Sequence, residues 1–309
     1  MRRPPAVVLV NPGARGGRAW TRLARAWPAV TERFEPRVVE LDEGGRWRGE
    51  VEDALGHGVR HFVAAGGDGT VGALADALWQ ARDPVPLAAL TLGAIGLGSS
   101  NDFHKPPRSR VGGVPFRLDG GDRRDVGRVA YVDATGEERQ RAFLVSASLG
   151  LTAAANAFFN RGDALLRALR RPWTGGAIAY AALHEVLRGG GVSLEVVLPA
   201  RRERVRAASL SILKTRHLAG GLAFDTPVAP DDGTLAVNLV EDRGRLATLA
   251  TLLSLARGRF VGRPGARHWS VPALVVEAVA PVPLEIDGEV VLARRARFDV
   301  LAESIRACA

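Results

Sequence analysis

The stretch that decides the fold is FVAAGGDGT, residues 62–70. A short apolar run leads into three glycines around one aspartate, and an apolar helical pattern begins at once. Glycine permits positive φ and a close approach of the backbone to a phosphate, and the first N–H groups of a helix bind anions. The stretch therefore predicts a strand, a phosphate-binding turn and a helix that Thr70 can cap. The alternative for any one such turn is an ordinary strand-to-helix connection.

A second glycine-rich connection, GAIGLGSSNDF at residues 93–103, follows the next strand candidate. It is not a dinucleotide-binding fingerprint, because the glycine spacing differs and no helix with a distal acid follows. Neighbouring parallel strands end at one edge of a sheet, which is where open α/β folds bind their ligands. Two such turns side by side favour a phosphate site over a chance occurrence of glycine.

Alternation of strand and helix patterns fills the first third of the chain. The strand candidates are residues 6–10, 37–41, 61–65 and 87–91, and the helix candidates are 19–30, 51–56 and 71–80. This order predicts an α/β domain over residues 1–124, with a parallel sheet covered on both faces.

The pattern changes near residue 124 to β-like runs with hairpin-style breaks, and helical insertions are expected at 152–171, 175–188 and 244–257. A second, mainly antiparallel β domain is therefore predicted for residues 125–290, with residues 291–309 returning to the first domain.

Composition limits the classes of function. The chain has 309 residues, 47% of them hydrophobic, and a net charge of +9. Its one cysteine, Cys308, cannot form an internal disulfide, which favours a reducing compartment such as the cytoplasm. No apolar stretch approaches the roughly 18 residues of a membrane span, and the run at residues 6–10 is short for a secretory signal.

The positive charge allows an anionic partner. Only Lys105 and Lys214 among the 42 basic residues are lysines, so much of the charge reflects an arginine bias spread over a surface. Nucleic acid is not expected as a partner, because arginines interleaved with aromatics are absent. The six histidines show no zinc-ligand spacing.

Several motifs together resemble the diacylglycerol kinase catalytic-domain family, which includes bacterial lipid kinases, sphingosine kinases and ceramide kinases. The motifs occur in the family's order and span almost the whole chain: NPG at 11–13, GGDGT at 66–70, GSSNDF at 98–103, RDVG at 124–127, SLG at 148–150, GG at 220–221, DDGTL at 231–235 and PLEIDGE at 283–289. GGDGT alone is shared with NAD kinases and is related to phosphofructokinases. The last two motifs point to the lipid kinases.

The resemblance implies an ATP- and Mg²⁺-dependent lipid kinase. Its first domain would have a phosphofructokinase- and NAD kinase-like fold, and ATP would lie between the domains. The implied nucleotide-binding residues are Asn11, Pro12, Gly13, Gly66, Gly67, Asp68, Gly69, Thr70, Ser99 and Asn101. Glu289 would be the general base, with Asp287 and Asp68 as further catalytic residues. A structural Mg²⁺ would be held by Asp232, Ala229 and Thr234. Without the resemblance, Asp231–Gly233 and Asp287–Gly288 are plain hairpin turns.

The chain departs from the family pattern at a few positions. Gly72 and Ala73 stand where the family has Asn and Glu, Lys214 stands where Asn is common, and Ser99 replaces Thr. These departures keep open a non-catalytic homologue that binds lipid or nucleotide. A soluble kinase of the NAD kinase type is the other alternative.

Two stretches are candidates for contact with lipid at a membrane surface. Apolar residues at helical spacing fill residues 158–169 and 246–255, with arginines nearby at 161, 167, 170, 171, 243, 245, 257 and 259. Such helices can lie in a membrane interface, although packing on the core is the common alternative for each. A peripheral membrane location is expected, and a homodimer is compatible with the sequence.

Overall fold

The computed structural model describes residues 3–83, 85–106, 109–170 and 173–308. The chain divides into two compact units, of which the first comprises Met1–Val126 and Ala302–Ala309 and the second comprises Gly127–Leu301. In this division the C-terminal residues of the first unit begin at Ala302.

The first unit alternates strands and helices. Its elements are β1 (Pro5–Val10), α1 (Ala14–Gly17), α2 (Ala19–Arg33), β2 (Glu35–Glu40), α3 (Trp47–Gly56), β3 (His61–Gly66), α4 (Asp68–Gln80), a 3₁₀ turn (Leu87–Ala89), β4 (Thr91–Gly96), a second 3₁₀ turn (Asp102–His104), β5 (Arg110–Val111) and β6 (Val114–Arg117). Strands β2, β1, β3 and β4 pair in that order and are parallel. Strand β6 is antiparallel to β4, and Arg306 and Ala307 pair in parallel with the start of β4.

Burial explains why these segments form a parallel sheet. Strands β1 and β3 are buried at five consecutive positions each, as expected for strands covered on both faces. Helix α2 buries Ala19, Leu23, Ala26 and Val30, a helical stripe that packs on residues of the sheet. Helix α4 is buried from Thr70 to Trp79.

The fourth strand of the first unit begins later than the predicted residues 87–91. Residues 87–89 form a 3₁₀ turn and β4 begins at Thr91, so Gly93 and Gly96 lie inside a strand instead of in a loop. A Cβ at Gly93 would come within 2.5 Å of Leu118, and one at Gly96 within 2.9 Å of Pro115. These glycines serve the close packing of strand residues, which a glycine count alone assigns to a turn.

The second unit is mainly antiparallel β structure. Its elements are β7 (Asp122–Asp133, which starts in the first unit), β8 (Glu138–Phe143), β9 (Ser146–Gly150), α5 (Leu151–Arg161), α6 (Ala164–Arg170), α7 (Thr174–Arg188), β10 (Val192–Leu198), β11 (Arg201–Leu213), β12 (His217–Leu218), β13 (Leu222–Ala223), β14 (Leu235–Glu241), α8 (Arg245–Leu255), β15 (Ala266–Val271), β16 (Ala273–Ile286) and β17 (Glu289–Ala307). Neighbours in the order β15, β14, β11, β10, β16 and β17 are antiparallel, and β9 pairs with both β11 and β16. The predicted fold class is confirmed.

The helical insertion expected at residues 152–171 is two helices. Gly162 ends α5 with a φ of 51°, and the Asp163 carboxylate accepts the Leu166 N–H at 2.7 Å, which caps α6. Arg171 lies outside the described residues. None of the helices in the described part of the chain is long and apolar enough to cross a membrane.

Candidate functional site

The two glycine-rich turns of the first unit lie side by side. The Gly66 carbonyl accepts the N–H groups of Leu97 and Gly98 at 2.8 and 3.0 Å. A Cβ at Gly98 would lie 2.3 Å from the Gly67 Cα, and one at Gly66 would lie 2.0 Å from the Thr70 hydroxyl oxygen. The turns therefore pack backbone against backbone, which only residues without a side chain allow at this distance.

Asn11 joins β1 to this pair of turns. Its N–H donates to the Ala65 carbonyl at 3.0 Å, and its side-chain amide lies 3.4 Å from the Thr70 hydroxyl. Its side-chain oxygen accepts the Gly13 N–H at 3.0 Å. The predicted cap by Thr70 is wrong, because α4 begins at Asp68 and Gly67 is the N-cap residue. Thr70 is buried in the first turn of the helix instead.

Two predicted nucleotide-binding residues are engaged in the turns themselves. The Asn101 side chain accepts the Gly98 N–H and donates to the Gly98 carbonyl, both at 3.0 Å, from a left-handed backbone with φ of 51°. The Asp68 carboxylate accepts the Phe103 N–H at 2.9 Å. The Asp68 carboxylate therefore links the second turn to the first, whereas the Asn101 side chain holds the second turn closed on itself. Ser99 is exposed at the tip of that turn.

A basic cleft of about 200 Å³ opens beside the second turn, and the sequence did not predict it. It is lined by Arg15, Arg22, Ser99, Ser100, Asn101, His104, Lys105, Arg110 and Pro115. The Arg15 guanidinium donates to the Gly98 carbonyl at 3.1 Å, which ties the cleft to the glycine turn. Three arginines and Lys105 give the cleft a positive lining, although the Lys105 ammonium is already paired with Asp102 at 2.6 Å. The cleft is therefore a candidate site for an anion.

Two residues of the cleft have lowered pKa values. Burial lowers the pKa of Arg22, and the neighbouring charges of Arg15, Arg25 and Arg110 lower it further. Burial also lowers the pKa of His104 to about 3, helped by Arg117, so the ring is neutral at physiological pH. Neither ring nitrogen of His104 has a hydrogen-bond partner among the described residues. Repulsion among the arginines is relieved when an anion binds.

In the second unit, Asp287 and Gly288 form a two-residue hairpin turn between β16 and β17. Both have positive φ, 46° and 94°, as a type I′ turn requires. The buried Asp287 carboxylate accepts three N–H groups, from Leu144, Val145 and Ser146, at 2.8–2.9 Å. Burial raises the pKa of Asp287 to about 6, against the opposing effect of those donors. Its carboxylate holds the turn in place.

Further side chains fix the same turn. The buried Glu285 accepts the Gly288 N–H at 2.6 Å and the Ser148 hydroxyl at 2.7 Å. The Asn156 side chain donates to the Gly288 carbonyl at 3.1 Å. The turn is thus bonded on several sides, and its shape does not depend on Glu289.

Glu289 is the first residue of β17, and its side chain is 52% exposed. Its carboxylate accepts a hydrogen bond from Arg141 of β8 at 2.8 Å. Sequence reasoning missed Arg141, because nothing in the local pattern of β8 marks it. The ion pair orients the one carboxylate of the turn that faces solvent.

The loop at residues 229–234 contains the three implied ligands of a structural Mg²⁺. The Asp232 carboxylate accepts the Thr234 N–H at 3.0 Å and the Thr234 hydroxyl at 2.9 Å, and Ala229 is partly buried in the same loop. Partial burial raises the pKa of Asp232, but the bonds from Thr234 and the nearby Lys214 ammonium lower it by more, so it lies below its usual range.

The residues around that loop do not fit a divalent ion. The Lys214 ammonium lies 2.8 Å from the Thr234 carbonyl and 3.4 Å from the Asp232 carboxylate. A positive group already binds the oxygens that a metal ion would need. Among the described residues, no cluster of three or more His, Cys, Asp or Glu side chains could hold a metal ion.

Gly72 and Ala73, where the family has Asn and Glu, are buried in α4. The chain therefore has no carboxylate at the exposed end of that helix beyond Asp68. The surface at the start of α4 is therefore formed mainly by backbone groups, and the basic cleft lies beside the second glycine turn.

Among the described residues of the helical part of the second unit, large apolar side chains are exposed at Leu165, Trp173, Leu183, Leu187, Leu246 and Leu253. Leu246 is 85% exposed and Trp173 67%. Helix α7 packs on α8, and exposed arginines flank them, including Arg188, Arg243 and Arg257. The helices thus present apolar side chains beside positive charge.

Comparisons with known proteins agree with the folds of the two units. The family model described as "Diacylglycerol kinase catalytic domain" matches residues 5–108, and that described as "YegS C-terminal NAD kinase beta sandwich-like domain" matches residues 145–308. A Pseudomonas aeruginosa (strain PAO1) protein named "Probable lipid kinase YegS-like" is 29% identical over 97% of this chain and 93% of that protein.

A protein of the same name from Stenotrophomonas maltophilia (strain K279a) is 27% identical over 86% of this chain and 89% of its own. A crystal structure of a diacylglycerol kinase from Bacillus anthracis str. Sterne covers 100% of this chain and 97% of its own, with a TM-score of 0.68 and 16% identity. At that identity the likeness concerns the fold alone.

Proposed function

The chain belongs to the diacylglycerol kinase catalytic-domain family with a YegS-type C-terminal domain, and from this premise we propose that it transfers the γ-phosphoryl group of ATP to a hydroxyl group of a lipid. The observation that carries the proposal is the contact between the two glycine turns, where Gly67 and Gly98 meet backbone to backbone. Such a surface accepts a phosphate chain that any side chain would exclude.

In this proposal the triphosphate binds at the start of α4. The first N–H groups of a helix have no intrahelical acceptor and aim at an anion. Arg15, which already bonds to Gly98, and Arg22 supply positive charge next to the turns. Mg²⁺ comes with the nucleotide as part of the substrate complex, and it neutralises charge on the phosphates.

Glu289 is the proposed general base. The lipid hydroxyl oxygen bonds to the γ-phosphorus, the bond from that phosphorus to the bridging oxygen of ADP breaks, and the hydroxyl proton passes to the Glu289 carboxylate. Asp287 positions that group through the hairpin turn. Asp68 positions the second glycine turn through its bond to Phe103.

A transfer assay tests the proposal. The protein is incubated with Mg²⁺, ATP labelled at the γ-phosphate, and vesicles that contain a panel of lipid alcohols. The expected result is label in one organic-extractable lipid product and none in NADP when NAD is the acceptor. Labelled NADP would instead favour a soluble kinase. Bound ATP without any labelled lipid would favour a non-catalytic homologue, and either outcome overturns the proposal.

The proposal includes docking on the surface of an anionic membrane through α6, α7 and α8. The exposed leucines of these helices can enter the headgroup boundary, while the flanking arginines attract anionic lipid. Cosedimentation with phosphatidylglycerol vesicles should exceed that with phosphatidylcholine vesicles.

A pair of variants checks the docking face. Leu246→Asp should weaken vesicle binding by about tenfold to a hundredfold, because burial of one leucine is worth about 1.5–3 kcal/mol. Val279→Asp is the matched control, since Val279 is 79% exposed on β16, outside those helices. Equal loss in both variants would contradict the assignment of the face.

A further inference from the structure

We propose that the ammonium group of Lys214 replaces the structural divalent cation that the family resemblance implies for the loop at residues 229–234. The inference concerns how the fold is held and does not require the kinase reaction. It rests on a disagreement between the implied metal ligands and the side chain that already binds two of them.

The strand register brings Lys214 to the loop. Leu213, the last residue of β11, pairs with Ala236 of β14, so Lys214 stands beside the point where the loop enters β14. Its Nζ lies 2.8 Å from the Thr234 carbonyl oxygen and 3.4 Å from Asp232 Oδ1. Those two residues are two of the three implied metal ligands.

The ammonium and a divalent ion exclude each other at this place. Mg²⁺ needs oxygens at about 2.0–2.1 Å and Ca²⁺ at about 2.3–2.6 Å, in shells of six or more ligands. Here the oxygens are at hydrogen-bond distances from a positive group, which would repel a metal ion a few ångströms away. The Lys214 side chain is only 1% exposed, so its charge must be paired within the protein.

Lys214 also reaches the hairpin turn that carries Glu289. Its backbone N–H donates to the Val145 carbonyl at 3.0 Å, and the Val145 N–H donates to the Asp287 carboxylate at 2.9 Å. One residue thus bonds the loop through its side chain and the support of the turn through its backbone. Lys214 is therefore a positioning residue that does the work of a bound cation.

The first test uses the nucleotide-free wild-type protein. After desalting, elemental analysis should find no stoichiometric Mg²⁺ or Ca²⁺, and neither EDTA nor millimolar amounts of either cation should change its Tm. Retained stoichiometric metal, or a Tm that falls in EDTA, overturns the proposal. This measurement decides the question even if every variant fails to fold.

The second test compares Lys214→Asn with Lys214→Met. Both should lower the Tm by roughly 5 °C or more, because Asp232 and the Thr234 carbonyl lose their partner. Mg²⁺ or Ca²⁺ should raise the Tm of the Asn variant, which leaves room for an ion, and not that of the Met variant, which fills the space with an apolar group.

Lys105→Met is the matched control, because Lys105 is the other lysine and pairs with Asp102 in the first unit. The Tm of this control should not change when either cation is added. If the Tm of the Lys214→Asn protein also does not change, the claim that the ammonium and a metal ion bind in the same place is wrong. No readout here involves ATP or lipid, so failure of the kinase proposal leaves this test unaffected.

Discussion

The dipeptide Asp-Gly occurs in a turn of each unit, and the two aspartates have opposite surroundings. Asp68–Gly69 opens a helix, where the backbone is bare and the carboxylate braces a neighbouring turn. Asp287–Gly288 closes a hairpin, where the carboxylate is buried under three N–H groups. The first turn is the proposed surface for phosphates, because its glycines leave the backbone without side chains. The second turn is fixed by hydrogen bonds and holds the exposed Glu289 in position.

The largest effect is expected from Glu289, the residue that follows the Asp287–Gly288 turn. Glu289→Gln should lower kcat by about 10²–10⁴, the usual contribution of a general base, and should leave the Tm unchanged because the side chain is half exposed. Labelled-phosphate transfer and thermal unfolding measure the two quantities. Glu277→Gln is the matched control, since Glu277 also pairs with an arginine on β17 and is 48% exposed. Equal activity in both variants would remove Glu289 from the reaction.

Replacement of Asp287 should destabilise the hairpin turn. Asp287→Ala leaves three buried N–H groups without an acceptor, at about 1–3 kcal/mol each, so unfolding free energy should fall by about 3 kcal/mol or more. Urea unfolding measures the change. In Asp133→Ala, the lost N–H acceptor belongs to a solvent-exposed hairpin and water can replace it, so a smaller loss is expected. Similar losses in both variants would contradict the interpretation that the buried Asp287 carboxylate stabilises its turn.

The bare turn should be sensitive to a single methyl group. Gly98→Ala places a Cβ 2.3 Å from the Gly67 Cα, and the repacking should cost about 1–3 kcal/mol. If that cost falls on the phosphate surface, ATP affinity falls roughly tenfold, which calorimetry measures. Gly49→Ala in α3 adds its methyl group to open space and serves as the control. Unchanged ATP affinity in Gly98→Ala would separate the turns from nucleotide binding.

The smallest effect is a pH dependence from the cleft beside the bare turn. His104 has a folded pKa of about 3 against about 6.5 when unfolded, so its contribution to stability is complete above pH 6.5 and is lost as pH falls. At pH 5 the loss is about 2 kcal/mol. His104→Leu should show that much less destabilisation between pH 7 and pH 5 in urea unfolding.

Two comparisons isolate the His104 term. Asp287 has a raised folded pKa and acts with the opposite sign, since it favours the fold at low pH. The difference between wild type and variant removes that contribution, because Asp287 is present in both. His57→Leu is the control, as the His57 side chain is 77% exposed. Parallel pH curves for wild type and His104→Leu would show that the buried ring is not responsible.

Most of the fold could be predicted from the sequence because its signals are local. Strands β1 and β3 are short apolar runs that end in glycine turns, and α2 shows a clear helical stripe. The start of β4 was misplaced because Gly93 and Gly96 look like loop residues until the side chains of Leu118 and Pro115 are seen against them. Such packing depends on residues about 20 positions away, which no local pattern reports.

The parts of the candidate site that are continuous motifs could be predicted from the sequence. The side chains that come together from distant parts of the chain could not. The glycine turns and the Asp-Gly-Glu hairpin are continuous in sequence. Arg22, Arg110 and Lys105 reach one cleft from separate elements, and their type is too common in this chain to stand out. Arg141 and Lys214 find their carboxylates only through strand register.

The hairpin at Asp287 also bears on how this position can vary over evolution. Its backbone has a φ of 46°, a conformation that asparagine and glycine tolerate and most residues do not. Its side chain must also be a short carboxylate that reaches the N–H groups of Leu144 and Ser146. Asparagine and glycine meet the first demand but have no carboxylate, and glutamate carries its carboxylate on a longer side chain, so aspartate alone meets both. A saturation library at this codon should therefore return aspartate alone.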